Sequence, residues 1–96
     1  RMNFVPVAHM PGAPEGAHTV GLRPEHVRLS DEGPLQLAIR QVEQLGSTSI
    51  LHGSVAADTQ FEVILPGQTT LQRGDTVRVA AAAADLHYFD AAGLRL

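Results

Sequence analysis

Apolar and polar residues alternate in short runs along most of the chain, and turn residues separate the runs. Alternation with a period of two is typical of strands that bury one face. In the first clear example, the predicted inward positions are Val20, Leu22, Val27 and Leu29, and the outward positions are Gly21, Arg23, Arg28 and Ser30. Pro24 interrupts this example and has no N–H to donate to a sheet, so we predict that it lies at a bend or an edge.

Further strands follow from the same pattern. We predict strands within 2–7, 48–55, 61–65, 86–89 and 94–96, and one that begins at Val77. A loop rich in proline and glycine over 8–17, and turns at 31–34, 46–47, 66–67 and 73–75, separate them. The five alanines at 80–84 favour a helix intrinsically, although the strand before them should extend partly into that run.

The segment 35–45 contains a break in phase. Leu35, Leu37 and Ile39 share one face of a strand, whereas Val42 falls on the other face. Because a slip of one residue moves every later side chain to the opposite face, we predict a β-bulge or sharp bend near Arg40 and Gln41. A helix is the alternative, since Leu35, Ile39 and Val42 also fit its spacing, but the turn residues at both ends favour the strand.

Strands at intervals of about eight to twelve residues indicate a small all-β barrel or sandwich, formed by residues 1–96 as one domain. Closure into a barrel would protect the edges of so small a sheet. Apolar residues make up 44% of the chain. The chain contains no run of about 18 apolar residues, the length that would indicate a membrane span. The first residues lack the apolar core of a signal peptide, and we expect the chain to be part of a larger protein.

Composition excludes several kinds of site. The chain has no cysteine, which excludes disulfides, zinc–thiolate sites and thiol catalysis, and which fits a reducing cytosol. It also has no lysine, so it cannot supply the Gly-Lys-Ser/Thr step of a phosphate-binding P-loop. The net charge of −3 and the scattered arginines argue against a nucleic-acid partner.

Motifs that suggest chemistry have simpler explanations. None of the five histidines has the close ligand spacing of a zinc site, so we predict no metal site. Arg73, Gly74 and Asp75 are predicted to form a turn in which Gly74 supplies a positive φ. No residue is predicted to be catalytic, because the hydroxyl cluster after Gly46 has no positioned base beside it. Phe61 is predicted to lie in the core, in phase with Val63.

Four segments, in order, carry a resemblance to a known family. They are 2–4, 21–27 (Gly-Leu-Arg-Pro-Glu-His-Val), 42–47 followed by Leu51, and 86–90 running into 93–96. Together they resemble the C-terminal regulatory region of ATP-binding subunits of carbohydrate-type ABC importers, which include maltose, glycerol-3-phosphate and multiple-sugar transporters. This region is called the transport-associated OB, or TOBE, domain. The resemblance implies a small OB-like barrel, Greek-key or partly open.

The resemblance also implies a function. The chain would be a non-catalytic regulatory and dimerisation domain, with no cofactor of its own, while ATP and Mg would bind the ATPase domain of the parent protein. Its partners would be a second copy of the subunit, the ATPase domain in the same chain, the membrane permease subunits through the parent, and a cytosolic regulator. It would lie in the cytoplasm, at the inner face of the cell membrane.

One departure from the family concerns the N-terminal part. Only residues 5–20 separate the first segment from the Arg-Pro-Glu segment, where the family has a longer stretch with extra strands. Residues 1–18 are therefore expected to be an incomplete N-terminal part, which leaves open the contacts that the missing strands make.

Two candidate surfaces follow from the resemblance. Arg23, Glu25 and His26 are candidates for a partner contact. If Pro24 does not rotate the segment, Arg23 and Glu25 lie on the same side of an extended strand. Their structural alternative is an ion pair with each other or a bond to a neighbouring loop. The second hypothesis is a module that senses a small oxyanion or a sugar phosphate. In that case Ser47, Thr48 and Ser49 are candidate donors to the anion.

Overall fold

The computed structural model describes residues 2–96 and is nearly all-β. The eight strands are β1 (Asn3–Pro6), β2 (Thr19–Leu22), β3 (Arg28–Leu29), β4 (Leu35–Gln44), β5 (Thr48–Val55), β6 (Thr59–Pro66), β7 (Thr76–Ala80) and β8 (His87–Phe89). Three single-turn 3₁₀ helices span Val7–His9, Pro24–His26 and Ala83–Asp85. Over 2–96, no helix is long and apolar enough to cross a membrane.

The strands form two antiparallel sheets. Five strands, in the order β3-β7-β4-β5-β6, make a strongly curled sheet that closes into a half-barrel. The other three, in the order β1-β2-β8, make a small sheet beside it. This arrangement confirms the predicted all-β, partly open OB-like barrel.

A β-bulge in β4 shapes the half-barrel. Ile39 pairs with Gly53 and Gln41 pairs with His52, so Arg40 is an extra residue with no partner across the ladder. The bulge confirms the prediction from sequence, and the helical alternative for 35–45 is wrong. Because the extra residue restores the phase, Val42 lies opposite the buried Leu51 and packs against the core.

Both sheets contribute to one hydrophobic core. The small sheet and its connections supply Val5, Met10, Val20, Leu22 and Val27, and the half-barrel supplies Leu35, Leu37, Ile39, Leu51, Val55, Phe61, Val63 and Val79. Phe61 is the largest of these and only 1% exposed, as its phase in the sequence predicted. The two sheets are therefore held together by apolar burial, the main favourable term in folding.

Two 3₁₀ helices carry the chain from one sheet to the other. Pro24–His26 joins β2 to β3, and Ala83–Asp85 joins β7 to β8. The two connections run in opposite directions, since β2 pairs with β8 and β3 pairs with β7. The predicted bend at Pro24 is confirmed. It takes the form of a 3₁₀ turn, because proline favours the first position of a helical turn, so Arg23 and Glu25 do not share one extended segment. The alanines at 80–84 divide between the end of β7 and the third 3₁₀ helix.

Three further expectations are wrong. Leu29 lies opposite the buried Val79 but is 40% exposed, because β3 is a two-residue strand at the edge of the half-barrel. Gly21 is buried rather than outward, because Met2 and Phe89 occupy the space that a Cβ would need. The end of the chain forms only an isolated bridge, Phe89 with Arg95, instead of a strand over 94–96.

A buried asparagine joins the small sheet to the half-barrel. The Asn3 side-chain amide donates to the carbonyl of Glu62 at 2.8 Å, and its Oδ1 accepts from the Glu62 N–H at 2.8 Å. β6 is an edge strand of the half-barrel sheet. Asn3 therefore satisfies the backbone N–H and C=O of Glu62, which a neighbouring strand would otherwise satisfy.

Replacing Asn3 with Ala should lower the free energy of unfolding by about 2 kcal/mol, because a donor and an acceptor in β6 lose their partners. Urea denaturation would measure the change. Gln36→Ala removes an exposed amide from β4 and serves as the control, with an expected effect within about 0.5 kcal/mol. Equal effects of the two variants would contradict a special role for Asn3.

The turn between β5 and β6 stores backbone strain. Ala56 and Ala57 have φ values of 50° and 74°, in the left-handed region that disfavours residues with a Cβ. Substituting Ala57→Gly should raise the free energy of unfolding by about 0.5–1 kcal/mol, since relief of strain exceeds the entropy cost of glycine. The midpoint of urea unfolding would show the gain.

The matched control is Ala92→Gly, in the turn before the C-terminal residues, where φ is not positive. That variant should lose up to about 1 kcal/mol, because it only increases the freedom of the unfolded chain. A loss of stability in both variants would show that the turn at Ala57 is not strained.

Candidate functional site

The second 3₁₀ helix presents three polar side chains on a fixed support. Arg23, Glu25 and His26 are exposed, whereas Pro24 and Val27 between and after them are buried. The His26 N–H donates to the Arg23 carbonyl at 2.9 Å and closes the turn. The helix packs next to β6, so the exposed residues stand on a packed corner of the barrel. We name this surface the corner: Arg23, Glu25 and His26.

A second connection lies beside the corner. The Nδ1 atom of His26 is 3.6 Å from Oδ1 of Asp85, in the third 3₁₀ helix. Both side chains are more than a third exposed, and exposed pairs of this kind contribute about 0–1 kcal/mol. Among residues 2–96, Arg23 and Glu25 form no ion pair, so the sequence-predicted surface pair between them does not occur. Their charges face solvent.

The hydroxyl residues after Gly46 lie in different surroundings. Ser47 is exposed in the turn and Thr48 is half-buried, but Ser49 is fully buried. The Ser49 hydroxyl lies 2.8 Å from Oε1 of Gln44 and 2.7 Å from the carbonyl oxygen of Gly67, so its one proton serves the barrel itself. An oxyanion contact by these residues stays a prediction.

The structure also brings together a charged cluster that the sequence analysis did not find. On the outer face of the half-barrel, His52 in β5 lies between Glu43 in β4 and Glu62 in β6. Its Nε2 is 2.5 Å from Oε1 of Glu43, and its Nδ1 is 3.0 Å from Oε2 of Glu62. The imidazole can donate to both carboxylates only when both ring nitrogens carry protons. The cluster links three neighbouring strands.

A signal for this cluster was present in the sequence. The bulge and the turn at Gly46 set the register of the β4–β5 hairpin, in which Gln41 faces His52 and Glu43 lies diagonally across. Histidine spacing, considered only for a zinc site, does not reveal this pairing of His52 with Glu43. No group of three or more metal-ligating side chains within 2–96 has an arrangement that would hold a metal ion.

A cavity of about 390 Å³ lies next to the charged cluster. Residues of β1 form one side, and the bulge together with the β5–β6 hairpin forms the other. Arg40, His52 and Glu62 all line it, and Phe4 contributes an exposed ring. The cavity and the corner share no residue.

Comparison with known proteins agrees with this architecture. The TOBE domain family matches residues 20–89, which cover most of β2 and all of β3 to β8. Three relatives are named sn-glycerol-3-phosphate import ATP-binding protein UgpC, the second of them as UgpC 3. The protein from Ruegeria sp. strain TM1040 is 39% identical over 82% of this chain, that from Agrobacterium fabrum is 36% identical over 86%, and that from Brucella abortus strain 2308 is 33% identical over 86%.

The chain spans about a quarter of the length of these relatives: 23%, 25% and 26% respectively. TOBE domains are non-catalytic, and in ATP-binding subunits the ATPase lies in another domain. The order of strands, the half-barrel and the match over most of its length lead to one conclusion: this chain belongs to the TOBE domain family.

Proposed function

We propose that the chain is the regulatory and dimerisation module of an ATP-binding subunit of an ABC importer for glycerol 3-phosphate or sugars. The membership of the TOBE family and the names of the relatives support the type of parent protein. The observation that carries the regulatory role is the corner. It holds charged and polar side chains toward solvent on a support fixed by buried Pro24 and Val27.

The mechanism is a difference in contact free energy. An ATPase dimer alternates between open and closed states, and a module that touches its partner differently in the two states shifts their equilibrium. The packed backbone of the corner suits this role because little backbone conformational entropy is lost when it binds. Opposite charges on Arg23 and Glu25 favour a partner with complementary charges and affect mainly specificity and association rate.

The partners of this module are a second copy of the subunit, the ATPase domain in the same chain, the permease subunits that the parent contacts, and a cytosolic regulator. ATP and Mg bind the ATPase domain in this scheme, and the module itself needs no cofactor. Its place is the cytoplasmic face of the membrane, where the parent meets its permease.

The test combines three substitutions, Arg23→Ala, Glu25→Ala and His26→Ala, in the full-length subunit. Solvent-exposed substitutions should change stability little, while loss of the partner contact should weaken dimerisation or the response to a regulator by about tenfold, as expected for a contact worth 1–2 kcal/mol. Analytical ultracentrifugation and solute uptake by the assembled transporter would measure the two effects.

Glu32→Ala is the matched control, because Glu32 is also exposed but lies in the turn before β4. It should leave both readouts unchanged. If the triple variant dimerises, transports and responds like the control, the corner is only a structural turn and the proposed role is wrong.

A further inference from the structure

The cavity between β1 and the β5–β6 hairpin has the size of a small-molecule site. Its volume of about 390 Å³ falls in the range of about 300–1,000 Å³ that is usual for such sites. Its lining is mostly polar, with Met2, Phe4 and Phe61 as the apolar members, so a ligand would be held mainly by hydrogen bonds. The question is which ligand its chemistry suits.

The bulge supplies the donors. Arg40 is the extra residue of β4, so its backbone has no partner position in β5 and its side chain lines the cavity. Within 2–96 its guanidinium makes one hydrogen bond, a long one of 3.5 Å from Nη2 to the carbonyl of Gly53. A guanidinium has five N–H donors, so most of them are available to a ligand.

Acceptors line the same cavity. One carboxylate oxygen of Glu62 lies 3.0 Å from Nδ1 of His52, and an ionised carboxylate has about four acceptor positions in all. The Thr59 hydroxyl and the Gln60 amide add groups that both donate and accept. Strong donors and strong acceptors therefore face one space.

The balance of charge selects the ligand class. Arg40 and Glu62 carry opposite charges, so an anion is attracted by one and repelled by the other at short range. A hydroxyl group, in contrast, can accept from Arg40 and donate to Glu62. An uncharged molecule with several hydroxyls satisfies both residues without that conflict.

Phe4 provides an apolar surface at the same cavity. Its ring is 53% exposed, and the ring of Phe89 meets it at an interplanar angle of 65° with 5.8 Å between centroids. This edge-to-face contact favours the observed orientation of the ring. The exposed part of the ring can pack against the C–H groups of a polyol or sugar.

We propose that this cavity binds a small uncharged polyol or monosaccharide, held by Arg40 and Glu62 and packed against Phe4. The cavity would give the module a ligand-sensing role beyond the proposed contact at the corner. Because the two surfaces share no residue, either proposal can fail without the other.

The experiment is a nuclear magnetic resonance titration of the ¹⁵N-labelled 96-residue chain with glycerol and with glucose. Saturable shifts are expected at the amides of Gly53, Thr59 and Gln60, which line the cavity. Substituting Arg40→Gln should raise the dissociation constant at least about tenfold, because hydrogen bonds to charged groups contribute strongly. Arg73→Gln, at an exposed turn arginine outside the cavity, should leave it within about twofold.

A dispersed amide spectrum would show that the Arg40→Gln variant remains folded. If that variant does not fold, Phe4→Ala serves as the second variant and should also weaken binding. The absence of saturable shifts with both glycerol and glucose would overturn the proposal. Weakening of binding by Arg73→Gln as large as that by Arg40→Gln would also overturn it. Saturable binding of inorganic phosphate or glycerol 3-phosphate, with none by glycerol or glucose, would replace the ligand class with an oxyanion and overturn it too.

Discussion

The β-bulge at Arg40 is the constraint on which most of this structure depends. A strand alternates between two faces, so a ten-residue β4 without an extra residue would place Val42 in solvent and Glu43 toward the core. The bulge instead returns Val42 to the core, opposite Leu51, and brings Glu43 to the outer face beside His52. It also increases local twist, which suits a sheet that curls into a half-barrel.

A half-barrel leaves two edges, and each is protected differently. At β6, the Asn3 amide satisfies the N–H and C=O of Glu62, and the second 3₁₀ helix packs alongside. At the other edge, β3 is only two residues long, which limits pairing with another chain. The fold thus remains partly open without a long exposed edge.

The two surfaces proposed for binding are attached to these packed features. The corner stands where buried Pro24 turns the chain from one sheet to the other, so the backbone that carries its exposed charges is held by packing. The cavity lies where the bulge, the β5–β6 hairpin and β1 meet. Arg40, which lines it, is the extra residue of the bulge and has no partner position in β5. Partner contact and ligand binding would therefore use different parts of one support.

The sequence by itself determined most of the strands, the bulge near Arg40 and the turn in which Gly74 has a φ of 95°, because alternation and turn chemistry act over a few residues. It also located the corner, although not its helical shape. Only the tertiary structure decided that Leu29 stays exposed, that His52 meets two carboxylates and that a cavity forms beside Phe4. The physical reason is distance along the chain: Asn3 and Glu62 are 59 residues apart, and no local pattern specifies that they meet.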